Sequence, residues 1–151
     1  MSSPEVNITT LLKDRQIAHE VIDHKEVTNN AGTAEALGVA LADTVKSLML
    51  ETVEGEVIVV VVAGDQRYDS KRLMAKAGTK RVSFAKPEKV LEYAGCDFQC
   101  VPPFGHIKPV RVFIDAAMLA KGTVYFNAGS HTRSIKIEAN RLPELGAMIT
   151  F

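Results

Sequence analysis

The sequence is poor in cysteine and has no long apolar run. Its 151 residues include two cysteines, Cys96 and Cys100, which are too few for a disulfide framework. No apolar stretch approaches the length of a membrane-spanning helix or resembles the hydrophobic region of a signal peptide. We therefore expect a soluble, cytoplasmic protein with no membrane partner. A hydrophobic content of 46 % suits one domain with a real core, so residues 1–151 are predicted to form a single domain.

Several common chemical motifs are also missing. The sequence has neither a G-x-G-x-x-G nor a Walker A spacing, which argues against NAD and P-loop sites. It has no G-x-S-x-G elbow to support a serine hydrolase. The four histidines have no zinc-like spacing, and the C-x3-C pair lacks a second ligand pair. We expect neither a metal nor a cofactor.

The net charge is zero, but the charges are unevenly distributed. Residues 1–56 hold four Lys and Arg against ten Asp and Glu, whereas residues 57–151 hold fourteen against eight. The basic excess is concentrated between Lys71 and Lys89, where Glu88 is the one acidic residue. Such a stretch is either a solvated helix surface or a surface for a polyanion such as a nucleic acid.

The apolar periodicity predicts an α+β fold. Residues 44–53 and 56–64 form two predicted strands joined by a turn at Glu54 and Gly55. The second strand is apolar nearly throughout, which indicates a central strand covered on both faces. Because strands outnumber helices and several are linked by hairpins, we expect a single domain with a mixed, mostly antiparallel sheet flanked by helices.

Helix boundaries follow from capping residues. Asp69 or Ser70 begins one predicted helix that Gly78 ends, and Pro87 begins another that Gly95 ends.

Weaker signals predict the remaining elements. A short helix is predicted with Thr33 as its cap, and a last helix over residues 140–148. Further strands are predicted at residues 18–24, 110–115, 123–129 and 131–137, and further helices at residues 7–16 and 116–121.

Lys46 lies inside a predicted strand. The alternation of side chains places it on the same face as Leu48 and Leu50. If that face is covered, the ammonium is half buried and needs an anion or a pocket to serve, because an unpaired buried charge is costly. The alternative is a lysine at the strand end that extends into water.

Two loops are rich in residues that suit a binding site. In "CVPPFGHIKP", three prolines, Pro102, Pro103 and Pro109, fix the backbone, and Gly105 offers an amide that a ligand can approach. The loop is either a rigid pocket wall next to His106 or an ordinary structural turn.

The second loop, "NAGSHTRS", joins two predicted strands. It places Asn127, Gly129, Ser130 and His131 together. It either contributes amides and hydroxyls to a cleft or is a plain hairpin.

The order and spacing of several segments resemble the YbaK/ProX family of aminoacyl-tRNA deacylases, relatives of the editing insertion domain of bacterial prolyl-tRNA synthetase. The resemblance covers roughly residues 8–145. The segments that carry it are "TVKSLML", "VVVAGDQRYDSKRLMAKAG", "VPPFGH", "IDAAML" and "VYFNAGSHTRSIKI".

The resemblance implies a trans-editing hydrolase that cleaves the ester between a wrong amino acid and the 3′-terminal adenosine of a tRNA, which we expect to be a tRNA for proline. Lys46 matches the hallmark lysine of the family and is the expected catalytic residue. The family mechanism is substrate-assisted, with tRNA hydroxyls and ordered water supplying the chemistry. The expected partners are aminoacyl-tRNA and an aminoacyl-tRNA synthetase, and no DNA partner is expected.

The resemblance also implies which residues contact the substrate. Pro103 to Gly105 match a loop that borders the amino-acid pocket, Asn127 to Gly129 match a second lining loop, and the first predicted strand provides a wall. The basic stretch is expected to meet the tRNA backbone through Lys71, Arg72 and Lys76. The expected substrate-binding residues are Ile22, His24, Pro103, Phe104, Gly105, His106, Asn127, Gly129 and Ser130.

The sequence departs from the family at one place. Many relatives carry a glycine pair where this chain has Gln99 and Cys100, which re-shapes the pocket, so the amino acid recognised cannot be copied from them. Two alternatives remain open at this point. One is a tRNA- or nucleotide-binding module without turnover, and the other is an unrelated hydrolase that uses His106 or His131 with a cysteine.

Overall fold

The structure, a computed structural model, describes residues 3–151. The α-helices are α1 (Pro4–Asp14), α2 (Asn30–Leu37), α3 (Ser70–Ala77), α4 (Pro87–Ala94) and α5 (Ala116–Leu119). The strands are β1 (His19–Asp23), β2 (Val45–Thr52), β3 (Val57–Ala63), β4 (Val82–Phe84), β5 (Arg111–Ile114), β6 (Thr123–Asn127), β7 (Arg133–Glu138) and β8 (Met148–Thr150). Short 3-10 helices occupy Leu41–Asp43 and Ala139–Leu145. Across residues 3–151, none of the helices combines the length and the apolar character that crossing a bilayer requires.

The strands form two sheets. One has the order β1-β7-β6 and is antiparallel, and the other has the order β4-β2-β3-β5-β8. In the larger sheet, β2 pairs antiparallel with β3 and β4, while β5 pairs parallel with β3 and β8. A single bridge between Thr44 and Tyr125 connects the two sheets. The predicted α+β class with mixed, mostly antiparallel pairing is confirmed, and the strands are divided between two sheets.

Strand β3 is buried along its whole length, as its apolar run predicts. Val59 and Val61 belong to the large core between the two sheets, and Val60 and Val62 belong to a smaller core that includes Leu73 of α3. Both faces of the larger sheet are therefore covered near β3. Full burial of a residue of this size contributes about 1.5–3 kcal/mol, so β3 is a main source of stability.

The first turns of α1 pack directly against glycines in two loops. A Cβ atom on Gly105 would lie 2.9 Å from Ile8 Cγ1, and one on Gly129 would lie 2.9 Å from Pro4 Cβ. Both glycines have positive φ, 82° and 77°, which glycine adopts without strain. Asn7 Nδ2 also donates a hydrogen bond of 2.9 Å to Gly105 O. Glycine is required at these positions because α1 occupies the adjacent space.

Helix α3 has the predicted cap at Asp69 and the predicted end at Gly78, and α4 begins at Pro87 and ends at Gly95. The predicted start of α2 is wrong. The helix begins at Asn30 with Asn29 as its cap, because the Asn29 side chain accepts from Gly32 N at 2.7 Å.

The last predicted helix is also wrong. Residues 139–145 form a 3-10 helix with Pro143 inside it, since proline removes a donor that an α-helix needs. The chain then forms β8, which pairs with β5. The three-residue strand β4 was not predicted because its pattern is too short to recognise.

Candidate functional site

Lys46 is the second residue of β2 and lies on the face of the larger sheet that α3 covers. Its register partner is Val62, which belongs to the smaller core. Leu50 also belongs to this core, so the predicted side-chain alternation is confirmed. The Lys46 side chain is partly buried, between the two alternatives that its sequence context allowed.

The ammonium of Lys46 is held by one contact. Nζ donates a hydrogen bond of 2.5 Å to the carbonyl oxygen of Gln66, in the loop after β3. Burial lowers the pKa of Lys46, the positive charge of Arg67 lowers it further, and Asp65 opposes both. A lysine ammonium has three donors, and Gln66 is the one acceptor recorded for it within residues 3–151. The remaining donors are free to bind an anion or an ester oxygen.

A cavity of about 310 Å³ contains Lys46 in its wall. The cavity lies beside the residues of β2 that precede Leu50. This part of β2 does not pair with β4. Most of the side chains that line the cavity are polar. The lining residues are Thr28, Asn29, Asn30, Val45, Lys46, Ser47, Leu48, Phe98, Gln99, Val101 and Asn127.

Ser47 provides an unpaired hydroxyl at this cavity. The residue is 8 % exposed, and its Oγ has no hydrogen-bond partner within the described part of the chain. Leaving a buried hydroxyl unpaired costs about 1–3 kcal/mol. The hydroxyl oxygen is closed off from solvent, so a ligand in the cavity reaches it only if the neighbouring side chains shift.

Asn30 is fixed beside the cavity by contacts with the start of β2. Its Nδ2 donates to Thr44 Oγ1 and to Val45 O, both at 3.0 Å. Gly64, at the end of β3, allows this packing, because a Cβ atom there would lie 1.9 Å from Thr44 Oγ1. No local sequence pattern indicates this contact, since Asn30 and Thr44 are 14 residues apart.

Asn127 is one predicted binding residue that does line the Lys46 cavity. Its Oδ1 lies 3.4 Å from Thr33 Oγ1 and 3.3 Å from Ser134 Oγ. Ser134 Oγ also lies 2.8 Å from His24 Nε2. His24 therefore supports the cavity through Ser134, while Ile22 pairs with Ser134 in the β-ladder and does not line the cavity.

The predicted loop of Pro103, Phe104, Gly105 and His106 does not line this cavity. Pro103 is buried, and the other three line a separate cavity of about 220 Å³. Phe104 packs edge-on against Phe126 with ring centroids 5.3 Å apart. The space beside Gly105 is taken by α1, so the loop is stiff where it supports the core. Contact of these residues with a substrate stays a prediction.

His106 and His131 both have structural partners. His106 Nε2 lies 2.8 Å from Pro102 O, and burial lowers the pKa of His106 although this hydrogen bond opposes the shift. His131 Nε2 lies 2.6 Å from Asp97 Oδ2, and its Nδ1 lies 2.8 Å from Val27 O. The bond to Asp97, followed by the bond to Val27, raises the pKa of His131.

Cys100 joins Asp97 and His131 in a cluster whose polar atoms lie within 4.8 Å of one another. The C-x3-C spacing did not predict this cluster. Both ring nitrogens of His131 face other acceptors, and the Cys100 thiol donates to the carbonyl oxygen of Asp97 at 3.6 Å, so no hydrogen bond joins this thiol to the imidazole within residues 3–151. The geometry therefore argues against a hydrolase with a Cys–His pair.

The other predicted loop residues and basic residues lie outside the cavity. Ser130 Oγ lies 3.2 Å from Thr132 Oγ1 within its loop, and Gly129 packs on α1. Lys71 and Lys76 are exposed on α3, on the same side of the sheet as Lys46.

Arg72 is also exposed on α3, but it has partners within the protein. Its guanidinium lies 3.4 Å from Asp69 and 5.8 Å from the ring of Phe151. A role in tRNA binding stays a prediction for Lys71, Arg72 and Lys76, and it is physically simplest for the two lysines.

Comparisons with known proteins agree with this fold. Residues 24–145 match the family described as "Aminoacyl-tRNA editing domain". The chain is 32 % identical over 111 residues to the uncharacterized protein YwhH of Bacillus subtilis, covering 74 % of this chain and 70 % of that protein. It is 27 % identical over 132 residues to the multifunctional Ser/Thr-tRNA deacylase ProXp-y of Escherichia coli, covering 85 % of this chain and 79 % of that protein.

A segment of a longer enzyme is also similar. Proline--tRNA ligase of Maridesulfovibrio salexigens is 31 % identical over 136 residues, which are 78 % of this chain and 23 % of the ligase. The fold matches the solved structure of the hypothetical protein APE2540 with a TM-score of 0.87 at 24 % identity, covering 95 % of this chain and 96 % of that chain. The family match spans most of the sequence, so this chain belongs to the aminoacyl-tRNA editing domain family and is an enzyme of the aminoacyl-tRNA deacylase class.

Proposed function

We propose that this protein removes a small, hydroxyl-bearing amino acid from a mischarged tRNA for proline by hydrolysing the ester at the 3′-terminal adenosine. The observation that carries the proposal is the polar cavity beside β2 with Lys46 in its wall, together with the ammonium donors that the recorded bond to Gln66 leaves unused. Similarity to a segment of proline--tRNA ligases supports the choice of tRNA. A synthetase partner that delivers the substrate is compatible with this similarity.

Lys46 acts by positioning and by electrostatic stabilisation. Water adds to the ester carbonyl carbon, the bond to the ribose oxygen breaks, and a proton from the water ends on that oxygen. An ester is already activated, so holding it beside water and stabilising the developing oxyanion supplies the main rate gain. Because His106 and His131 have structural partners, substrate hydroxyls and water remain the proton carriers in this proposal.

The polar lining favours an amino acid with a hydroxyl group. Asn30, Ser47, Gln99 and Asn127 offer donors and acceptors to a serine or threonine side chain. A site that hydrogen-bonds a substrate hydroxyl rejects an analogue without it, because its own polar groups are then left unpaired. The name of the Escherichia coli relative, a Ser/Thr-tRNA deacylase, points the same way.

Gln99 helps to define the size of the pocket. It replaces the smaller residue of many relatives, and it lines the cavity, while Cys100 is buried below at 3 % exposure. The Gln99 carbonyl lies 3.5 Å from Asn127 Nδ2, so the segment that precedes the proline-rich loop meets the end of β6 here.

The proposal is tested by hydrolysis of a panel of aminoacyl-tRNAs. Proline tRNA carrying serine, threonine, alanine, cysteine or proline is incubated with the purified protein, and loss of the ester is followed with time. We expect fast hydrolysis of the seryl or threonyl ester and slow hydrolysis of the prolyl and alanyl esters. Faster hydrolysis of the alanyl ester would overturn the proposed preference for a hydroxyl-bearing amino acid. Binding of the tRNAs without hydrolysis across the panel would favour a tRNA-binding module without turnover.

A further inference from the structure

We propose that the apolar cavity next to the Lys46 cavity binds the adenine base of the 3′-terminal adenosine, stacked against Phe84 and Phe98. This inference rests on the proposed function, because it assigns a place to the nucleotide that carries the ester. None of the comparisons or sequence motifs assigns a role to this cavity.

The two cavities adjoin each other. The apolar cavity has a volume of about 370 Å³. It shares Leu48 and Phe98 with the Lys46 cavity. If the amino acid of the substrate lies beside Lys46, the adenosine to which it is esterified therefore lies next to this cavity. The lining residues are Leu48, Met49, Phe84, Ala85, Pro87, Val90 and Phe98.

Phe84 and Phe98 are more exposed to solvent than aromatic side chains usually are. Phe84 is 69 % exposed and Phe98 is 61 % exposed. Phe84 ends the edge strand β4, and Phe98 lies in the loop after α4. The one aromatic pair recorded within residues 3–151 is Phe104 with Phe126, so neither exposed ring stacks on another aromatic side chain of the protein.

Positive charges near this cavity favour a nucleotide over a neutral apolar partner. Lys86 and Pro87 begin α4 at the cavity wall, and Lys86 is exposed. Arg81 and Lys80 precede β4 and are exposed as well. The phosphate on the 5′ side of the terminal adenosine would meet these cations, because the 3′ side of that nucleotide carries the ester.

The 3′ end of a tRNA is single-stranded, and its bases are free to stack. Proteins bind such bases on aromatic side chains, and the base itself needs no specific hydrogen bonds. An apolar wall with two exposed phenylalanines suits this mode. The ribose ester of the same nucleotide would then lie toward the Lys46 cavity, where the reaction takes place.

Stacking is tested with the trinucleotide 5′-CCA-3′ that carries 2-aminopurine in place of adenine. Stacking quenches 2-aminopurine fluorescence, and the chain has no tryptophan to interfere. We expect quenching by the wild-type protein and an affinity about tenfold weaker in Phe84→Ala and in Phe98→Ala. Phe84→Tyr and Phe98→Tyr keep the ring and are expected to keep the quenching. Val53→Ala is the control, since Val53 is 61 % exposed and lies outside the cavity.

The binding assay needs no turnover, so it separates this inference from the proposed function. Quenching that depends on both rings supports the adenine site even if no aminoacyl-tRNA is hydrolysed. Absence of quenching, or equal quenching by the alanine variants, overturns it even if hydrolysis is fast. A dimer in solution that dissociates in Phe84→Ala, with unchanged quenching, identifies the patch as a protein interface and also overturns it.

Discussion

The carbonyl oxygen of Gln66 lies 2.5 Å from Nζ of Lys46. The bond attaches the lysine of β2 to the loop that follows β3, so the cation is fixed in direction before a substrate arrives. It uses one donor and leaves the others available. Preorganised charge of this kind lowers a barrier because it costs no rearrangement during the reaction.

Gly64→Ala is expected to destabilise the protein and to weaken its activity. The new Cβ atom would lie 1.9 Å from Thr44 Oγ1 and 2.8 Å from Leu41 O, so the contact that holds Asn30 at the cavity has to shift. Overpacking of this kind costs about 1–3 kcal/mol. Denaturant unfolding measures the loss of stability. Gly122→Ala is the control, because a Cβ atom there meets nothing within 4 Å; equal losses in both variants would contradict the explanation.

Ser47→Ala is expected to separate stability from function. Since Ser47 Oγ is buried without a partner, its removal leaves the free energy of unfolding unchanged or raises it slightly. If the hydroxyl contacts the substrate, hydrolysis falls about tenfold or more. Thermal unfolding and kcat/KM on the preferred ester are measured together. A variant that unfolds more easily but hydrolyses normally would show that Ser47 has a purely structural role.

Gln99→Gly is expected to widen the range of amino acids that the pocket accepts. Removing the side chain from the cavity wall makes room for larger amino acids, and each methylene changes discrimination by about 10- to 200-fold. The measurement is the ratio of kcat/KM for threonyl and seryl esters of the same tRNA. A ratio that stays constant would mean that Gln99 does not define the size limit.

The stability of the protein is expected to respond to pH through two histidines in opposite directions. The pKa of His131 is raised above the unfolded value, so its contribution is full below about pH 6.5 and is lost as the pH rises through the folded pKa. The pKa of His106 is lowered by burial, so stability is lost as the pH falls below about 6.5, where the unfolded chain binds the proton.

Thermal unfolding of wild type, His131→Gln and His106→Gln between about pH 5.5 and pH 8.5 tests this. The advantage of wild type over His131→Gln is expected to shrink as the pH rises. Relative to His106→Gln, wild type is expected to lose stability as the pH falls. Parallel curves for all three proteins would show that neither histidine titrates as the contacts indicate.

The sequence predicts the local features of the fold well. The apolar run at residues 57–63 identifies β3 as a central strand, and alternation in β2 identifies the face on which Lys46 lies. The cap at Asp69 locates α3, and the proline at the first position of α4 locates that helix. These signals are strong because each depends only on residues that are close together in the sequence and on the periodicity of a single strand or helix.

The candidate site is less visible in the sequence because it depends on contacts between distant segments. Asn30, Ser47 and Asn127 line the same cavity, although about a hundred residues separate Asn30 from Asn127 in the sequence. The prolines and Gly105 were expected to stiffen a pocket wall, but the helix that packs on Gly105 lies at the start of the chain. A pattern of proline and glycine indicates a turn or a rigid backbone, but it does not indicate which residues pack against that backbone.

If Lys46 carries the hydrolysis, its replacement lowers kcat/KM for a tRNA for proline that is charged with serine. Lys46→Ala is compared with wild type and with Lys13→Ala, a change of an exposed lysine on α1 that is outside the cavity. We expect Lys46→Ala to lose about a hundredfold or more, with unchanged thermal unfolding, and Lys13→Ala to match wild type. Activity of Lys46→Ala within about twofold of wild type would show that Lys46 does not carry the hydrolysis.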